Sequence, residues 1–183
     1  LKVYELPLAG RGSRGKPIVN LLPLDADERI NAVLPVREFI EGPYVFMATS
    51  RGTVKKTPLI AFSRPRRDGI IAIDLRGDDY LIDVGITDGR QEIMLCGSNG
   101  KGIRFREADV RAMGRTAAGV RGIRLADDQR VIALIIADEG QLLLATEHGY
   151  GKLTAIPDFP LRGRGGQGVI AIQTSERNGE MVG

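Results

Sequence analysis

Short apolar runs, each followed by a glycine turn, recur along the chain with a period of about fifty residues. The three most similar copies lie at 46–52, 94–100 and 143–149. Their closing glycines are 48 and 49 residues apart. A regular period of this length is typical of solenoids, propellers and other repeat arrays. We therefore predict one array of similar units.

Each unit contains about four short segments with the pattern of β-strands. In the second unit, residues 44–48 form an apolar run, residues 50–52 fit a hairpin turn, and residues 53–57 alternate in polarity. β-branched residues at 70–73 and an apolar run at 81–86 complete the unit. Four strands in fifty residues is the composition of a propeller blade. The predicted fold class is all-β, a propeller-like array of four-stranded antiparallel blades.

The period divides the chain into four approximate repeats, 1–42, 43–90, 91–140 and 141–183. Further strands are predicted at 18–19, 30–34 and 181–182. Because both ends of the chain fall within a repeat, we expect a single fragment of a longer array with incomplete terminal blades. A β-sandwich built from hairpins is the alternative, but it does not explain the constant spacing.

The composition indicates the cellular compartment of the protein. Apolar residues make up 43% of the chain, yet no apolar run approaches the roughly 18 residues that a membrane-spanning helix needs. The single cysteine, Cys96, lies within an apolar run, which is typical of a buried thiol in a reducing compartment. We expect a cytoplasmic protein without membrane contact.

The net charge of +3 hides a strong segregation of charge along the chain. The windows 10–16, 51–67, 101–124 and 152–164 hold 19 of the 26 basic residues and 3 of the 23 acidic ones. Arginine outnumbers lysine 20 to 6, which favours planar, bidentate contacts with phosphate. Equivalent loops of a radial array emerge at equivalent positions. The pattern therefore predicts a continuous band of positive charge along the rim.

The candidate DNA contacts share a basic side chain in, or just before, a loop rich in arginine and glycine. They are Arg11, Arg14, Lys16, Lys55, Lys56, Arg64, Arg66, Arg67, Lys101, Arg104, Arg106, Arg111, Arg115, Arg121, Lys152, Arg162 and Arg164. Few aromatic residues are available to stack on unpaired bases. The composition therefore favours sequence-independent contact with the backbone of duplex DNA.

Other patterns with chemical meaning fit turns better than sites. Residues 10–15 and 163–168 match G-x-G-x-x-G, but a strand pattern follows each, whereas a dinucleotide site requires a helix. His148, the only histidine, lies at a predicted hairpin turn. The acidic pairs at 78–79 and 127–128 also recur at turn positions, which favours solvated turns. We expect no catalytic residue and no metal site in this chain.

One loop resembles the motif of a known family, the gyrase-A box Q-R-R-G-G-K/R-G. The degenerate copy consists of Arg162, Gly163, Arg164, Gly165, Gly166, Gln167 and Gly168. Its second arginine and three of its glycines match the motif, whereas Arg162, Gly163 and Gln167 depart from it. Stretches at 14–24, 52–57, 110–114, 119–125 and 178–179 are similar to the same family. The whole chain resembles the C-terminal domain of the A subunit of bacterial DNA gyrase.

The resemblance implies a β-pinwheel, a propeller variant whose blades exchange strands and whose basic rim bends and wraps duplex DNA. It also implies partners, namely the B subunit of gyrase and the N-terminal part of its A subunit, in an A2B2 complex that supercoils DNA negatively. ATP and Mg²⁺ act elsewhere in that holoenzyme, so no cofactor is expected in this chain. The family's nucleophilic tyrosine also lies elsewhere and has no match among Tyr4, Tyr44, Tyr80 and Tyr150.

Two alternatives remain open at this point. The chain could be the C-terminal domain of topoisomerase IV, which binds DNA crossings without strong wrapping. It could also be a propeller scaffold that binds acidic protein partners through the same basic loops.

Overall fold

A computed structural model describes residues 1–25, 28–137 and 139–183. The strands are β1 (Tyr44–Thr49), β2 (Thr53–Pro58), β3 (Leu81–Thr87), β4 (Glu92–Gly97), β5 (Lys101–Arg106), β6 (Val120–Arg121), β7 (Val131–Ala137), β8 (Gln141–Ala145), β9 (Gly151–Ala155) and β10 (Val169–Ile170). Short 3-10 helices lie at Val3–Glu5, Ile18–Asn20, Leu59–Phe62, Glu107–Asp109 and Ile156–Asp158. No helix in these described ranges is long and apolar enough to cross a membrane. The predicted all-β class is confirmed.

Each complete blade is a four-stranded sheet that includes one strand from the following repeat. The first sheet has the order β3-β1-β2-β6, and the second has the order β7-β4-β5-β10. All of their strand pairs are antiparallel. Strand β6 follows β5 in the chain yet pairs with β2, and β10 follows β9 yet pairs with β5. This is the strand exchange expected of a β-pinwheel.

The hairpin glycine of each blade makes this exchange possible. Gly52 has a φ of +83°, and a Cβ at this position would lie 2.9 Å from the carbonyl oxygen of Ile123. The chain that leaves β6 therefore crosses the hairpin turn too closely for any side chain. Gly100 has the same role beneath Ile172, with a φ of +75°. Only glycine adopts this conformation without strain and leaves this space.

The core lies between blades as well as within them. One cluster joins the first two sheets through Phe46, Val54, Ile93, Phe105 and Leu134, among others. A second cluster joins the second sheet to the β8–β9 hairpin and includes Met94, Leu144 and Phe159. Strands β3 and β7 pack beside each other, whereas β6 and β10 form the opposite edge of their sheets. That opposite edge is the outer rim of the array.

Four of the predicted strands do not form, at 18–19, 30–34, 70–73 and 181–182. Residues 30–34 and 70–73 are irregular, and Ile18–Asn20 is a 3-10 helix. A strand at 70–73 would need the hairpin of a preceding repeat, as β6 needs β2, and the described residues of 1–42 contain no hairpin. An isolated strand leaves its backbone groups without partners. At the other end, residues 181–182 form no regular strand: Met181 makes an isolated antiparallel bridge to Thr146, and its amide donates to the Ser98 carbonyl at 2.9 Å.

Candidate nucleic-acid interface

The basic loop of the third repeat lies along the outer edge of the first blade. The amide of Met113 donates a hydrogen bond to the Lys56 carbonyl at 2.9 Å, and Lys56 forms a parallel bridge with Ala112. Further along, Val120 and Arg121 complete the edge as β6. The loop is therefore fixed to β2 at both of its ends.

The basic loop of the fourth repeat lies on the second blade in the same way. Its Arg162 amide donates to the Arg104 carbonyl at 2.9 Å, next to a parallel bridge between Arg104 and Leu161. Strand β10 then pairs with Lys101 and Gly102. Loops of successive repeats thus occupy equivalent positions on the rim.

The degenerate box joins these two loops. The Arg164 guanidinium donates from Nε to the Asp109 carbonyl at 2.9 Å and from Nη1 to the Arg121 carbonyl at 3.0 Å. Two backbone hydrogen bonds reinforce the joint, from Gly165 to Gly122 at 2.6 Å and from Arg124 to Gly166 at 2.8 Å. Arg164 is therefore a positioning residue that holds one basic loop against the next.

A second joint connects the loops of the second and third repeats. The Lys55 ammonium donates to the carbonyl of Ala72 at 2.6 Å and to the carbonyl of Arg115. In return, Arg115 Nη1 donates to the Ile71 carbonyl at 3.0 Å. The loops 59–74, 107–124 and 156–168 are thus connected in series, and we call these three loops the basic belt.

Most predicted contact residues of the basic belt present their charge to solvent. The exposed ones are Arg64, Arg66, Arg67, Arg111, Arg121, Arg162 and Arg164, while Arg115 is half-buried. In the described part of the chain, no acidic group lies within 4.0 Å of the guanidinium of Arg64, Arg66, Arg67, Arg111 or Arg162. Within the described residues, these five arginines of the belt therefore carry charges that no carboxylate neutralises.

The structure corrects the prediction for Lys55, Lys56 and Arg104. Lys55 is fully buried, and the Lys56 ammonium lies 3.5 Å from the buried Glu107 carboxylate. Arg104 lies 2.5 Å from Glu92 and also donates to backbone carbonyls of the next repeat. These cations hold the rim together from beneath, because neighbouring loops cover the strands that carry them.

The remaining predicted contacts lie beside or outside the belt. Arg106 is exposed at the end of β5, and Lys101 at its start is half-buried. Lys152 lies on β9 and donates to the Ala171 carbonyl at 3.3 Å. Three further basic residues of the first repeat are exposed in a stretch whose backbone hydrogen bonds stay within residues 1–24, namely Arg11, Arg14 and Lys16. The structure does not bring these three to the belt.

The acidic turns dock onto the hairpin turns. Asp79 accepts hydrogen bonds from the Ser50 hydroxyl at 2.8 Å and from the Arg51 amide at 2.9 Å. Asp78 forms an ion pair with the Arg51 guanidinium at 2.6 Å. Among the described residues, no three His, Cys, Asp or Glu side chains are grouped so that they could hold a metal ion.

Two further basic residues are not among the contacts predicted from the sequence: Arg124, which ends the belt loop 107–124, and Arg51, which lies next to the belt. Arg124 is exposed and lies beside the box, since its amide donates to Gly166. Arg51 lies in a hairpin turn that the sequence assigned to structure alone. The arginine spacing in Arg121-Gly122-Ile123-Arg124 was the available signal for the first, whereas nothing in the sequence links Arg51 to residues seventy positions away.

Burial, and then the positive charge of Arg115, lower the pKa of Lys55 from 10.5 to about 8, with Asp74 acting in the opposite direction. The unfolded chain therefore binds more protons than the folded chain between these two pH values. Below about pH 8 the fold bears the full penalty of burying this charge. As the pH rises through that value, deprotonation relieves the penalty.

We expect the pH dependence of stability to change when Lys55 is replaced by methionine. Relative to Lys55→Met, the free energy of unfolding of the natural chain should rise between pH 8 and 10.5 and be constant below pH 8. Urea unfolding of both proteins over this range measures the difference, in which all other titrations cancel. A difference that stays flat up to pH 10.5 would contradict the assignment.

A propeller whose blades exchange strands and carry basic loops on their outer edges is a β-pinwheel with a cationic rim. A sequence model described as DNA gyrase C-terminal domain, beta-propeller, matches residues 1–37, 43–88, 91–138 and 140–183. The chain belongs to this family, which confirms the resemblance seen in the box and its flanking stretches.

Relatives and solved structures agree with this assignment. The chain is 58% identical to the DNA gyrase A subunit of Klebsiella oxytoca and 54% identical to that of Escherichia coli K12, in each case over its full length and 21% of the relative. It thus spans about one fifth of these curated relatives. The C-terminal domain of DNA topoisomerase IV superimposes with a TM-score of 0.89 at 31% identity, covering 98% of this chain and 56% of that one. A DNA gyrase A C-terminal domain, at 21% identity, shares the fold with a TM-score of 0.81 over 99% of this chain and 59% of that one.

Proposed function

We propose that this chain binds, bends and wraps duplex DNA without regard to sequence, as part of the C-terminal domain of the DNA gyrase A subunit. The observation that carries the proposal is the basic belt, in which three loops from successive repeats are joined on one rim. Its exposed arginines have no acidic partner among the described residues, so they are available to phosphates.

Bending is the step that requires a fixed series of contacts. Smooth bending of 20–30 base pairs by 40–90° costs about 1–6 kcal/mol. Release of counterions at each arginine–phosphate contact offsets this cost. Because Lys55 and Arg164 hold neighbouring loops together through backbone carbonyls, the spacing of these contacts is set before DNA arrives. A preformed rim loses little conformational freedom on binding.

The same proposal assigns the chemistry of supercoiling to other parts of the complex. Residues 1–183 act as one piece of the DNA-binding domain, with repeats 1–42, 43–90, 91–140 and 141–183. The B subunit of gyrase and the N-terminal part of the A subunit, in an A2B2 complex, use ATP and Mg²⁺ to pass one duplex through another. Wrapping by the domain supplies the crossing that makes the supercoils negative.

We expect DNA affinity to fall steeply with salt and to be similar for all sequences. For about five phosphate contacts, the slope of log Kobs against log salt concentration should lie near −4.5, since each contact contributes about −0.9. Fluorescence anisotropy with duplexes of equal length and different sequence measures both quantities. A slope near zero, or strong preference for one sequence, would contradict backbone contact.

A second candidate function is that of topoisomerase IV, favoured by the high TM-score with its C-terminal domain. In that case the belt binds a crossing of two duplexes and does not wrap one. Ligation of nicked circles in the presence of the complete protein distinguishes the two. Wrapping leaves a change of linking number in the closed circles, whereas binding at crossings without wrapping leaves a much smaller one.

A further inference from the structure

Arg51 lies next to the basic belt although it belongs to a hairpin turn. The carbonyl of Gly52 accepts hydrogen bonds from the amides of Gly122, at 2.8 Å, and Ile123, at 3.3 Å. One residue further along, Thr53 pairs with Arg121 in the β2–β6 register. The hairpin turn of the second repeat is therefore held against the loop that carries Arg121 and Arg124.

The Arg51 guanidinium has two acceptors of different kinds. Its Nη1 donates to the Asp127 carbonyl at 2.9 Å, and its Nη2 donates to Asp78 Oδ2 at 2.6 Å. The hydrogen bond and charge of Arg51 lower the pKa of the Asp78 carboxyl, so this group stays ionised at neutral pH. The two side chains are nevertheless 43% and 78% exposed. An ion pair this exposed is weak in water and readily exchanges partners.

Two open clefts flank this arginine. Arg51 and Arg121 line both of them, Arg76 adds to one and Arg124 adds to the other. Their volumes are about 340 and 240 Å³, which leaves room for a phosphate group. Each cleft thus has three arginines in its lining, together with carboxylates: Asp74, which pairs with Arg76 at 3.7 Å, and Asp79 in the first cleft, and Asp127 in the second.

We propose that Arg51 is a contact for a backbone phosphate of duplex DNA and that Asp78 masks it in the free chain. A phosphate oxygen replaces Asp78 Oδ2 at Nη2, while the Asp127 carbonyl keeps Nη1 and so keeps the guanidinium in place. Arg121 and Arg124 approach the same phosphate from the other side of the clefts. This inference rests on the proposed function and extends the DNA path from the belt to the hairpin turn.

Because the Asp78 carboxylate occupies Arg51 in the free chain, only DNA that is already bound to the belt makes this contact. A phosphate has to displace a carboxylate, so the exchange needs the high local phosphate concentration that belt-bound DNA supplies. The corresponding hairpin positions of the next two repeats carry Asn99 and His148. Arg51 can therefore be tested as a single site.

A double-mutant cycle on Arg51 and Asp78 tests the proposal, with DNA affinity and its salt slope measured on the full 183-residue chain. Asp78→Asn should raise the affinity about two- to fivefold, because the phosphate then meets no competitor. Asp128→Asn is the matched control, since it removes the same charge from an exposed position in an equivalent acidic turn. The control should raise the affinity less than Asp78→Asn does.

The cycle should also show that the two residues are coupled. In a chain with Arg51→Gln, the further change Asp78→Asn should raise the affinity no more than Asp128→Asn does. Arg51→Gln alone should make the salt slope shallower by about 0.9, the contribution of one phosphate. Arg51→Lys, which keeps the charge but cannot hold two acceptors in a plane, should lie between Arg51→Gln and the natural chain in affinity.

Equal effects of Asp78→Asn and Asp128→Asn, or an unchanged effect of Asp78→Asn in the Arg51→Gln chain, overturn the inference. If the chain binds DNA but Arg51 and Asp78 are not coupled, only this inference is overturned and the proposed function stands. If the unaltered chain binds no DNA, both the proposed function and this inference fail. Folding is not expected to interfere, because Asp79 rather than Asp78 holds the backbone of the turn.

Discussion

Replacing Arg64, Arg66 and Arg67 together by glutamate is expected to weaken DNA binding by about 10²–10³-fold on every sequence alike. The change removes about three phosphate contacts and adds three repulsive negative charges. All three side chains are exposed in the loop 59–74 and have no acidic partner within 4.0 Å among the described residues. The salt slope should become shallower by about 2.7, which is three times the contribution of one contact. Anisotropy titrations at several salt concentrations measure both changes.

A control of equal charge separates the basic belt from the net charge of the chain. Arg37, Arg90 and Arg130 are exposed but lie outside the belt, and their joint replacement by glutamate changes the net charge by the same amount. This control should weaken binding far less and leave most of the salt slope unchanged. Equal losses in the two variants would show that the belt has no special role in binding.

Replacing Glu107 by alanine is expected to lower the free energy of unfolding by about 3–5 kcal/mol, the usual result of leaving one partner of a buried ion pair alone. Its carboxylate is fully buried and lies 3.5 Å from the Lys56 ammonium. It also accepts hydrogen bonds from the Thr87 hydroxyl at 2.7 Å and the Gly89 amide at 2.9 Å. The Glu107 side chain thus holds three segments together: the turn between β3 and β4, the start of the loop 107–124, and β2.

Urea unfolding of the 183-residue chain measures this effect, and two further variants define its cause. Glu92→Ala removes the partner of Arg104, but that pair is partly exposed, so the loss should be smaller. Joint replacement of Lys56 and Glu107 by methionine removes both charges and should recover part of the loss. If the double variant is as unstable as Glu107→Ala, the lost hydrogen bonds rather than the unpaired lysine determine the effect.

The sequence was sufficient for the repeat and the class of fold, because hydrophobic spacing and glycine turns are local signals. It could not show which strands pair. Residues 70–73 and 120–123 both follow a glycine and contain β-branched residues, yet only the second stretch pairs with a hairpin, through Val120 and Arg121. The difference depends on a preceding hairpin at 44–58, which is a property of the neighbouring repeat.

The sequence also could not show which charged side chains are buried and which are exposed. Lys55 and Lys56 belong to a strand of mixed polarity, so the sequence placed their charges at the surface with those of the loops. Two covering loops bury them instead, one of which comes from the following repeat. Arg64 and its neighbours follow their prediction of exposure because no element packs over a loop tip. Residue type predicted the charge of the rim, and only tertiary contacts decided which charges reach solvent.

Because of strand exchange, each blade is also completed only after part of the following repeat has been synthesised. The outer edge of β2 is completed by β6, about 60 residues later, which corresponds to about 3–12 s of synthesis at the usual rate of about 5–20 residues per second. During that interval the growing chain presents an open sheet edge, the kind of surface on which other chains add strands. Lys55 and Lys56 lie on that edge, and lysine there discourages such pairing. The two lysines that fasten the rim in the folded protein thus occupy, before β6 is made, the positions where lysine disfavours pairing with other chains.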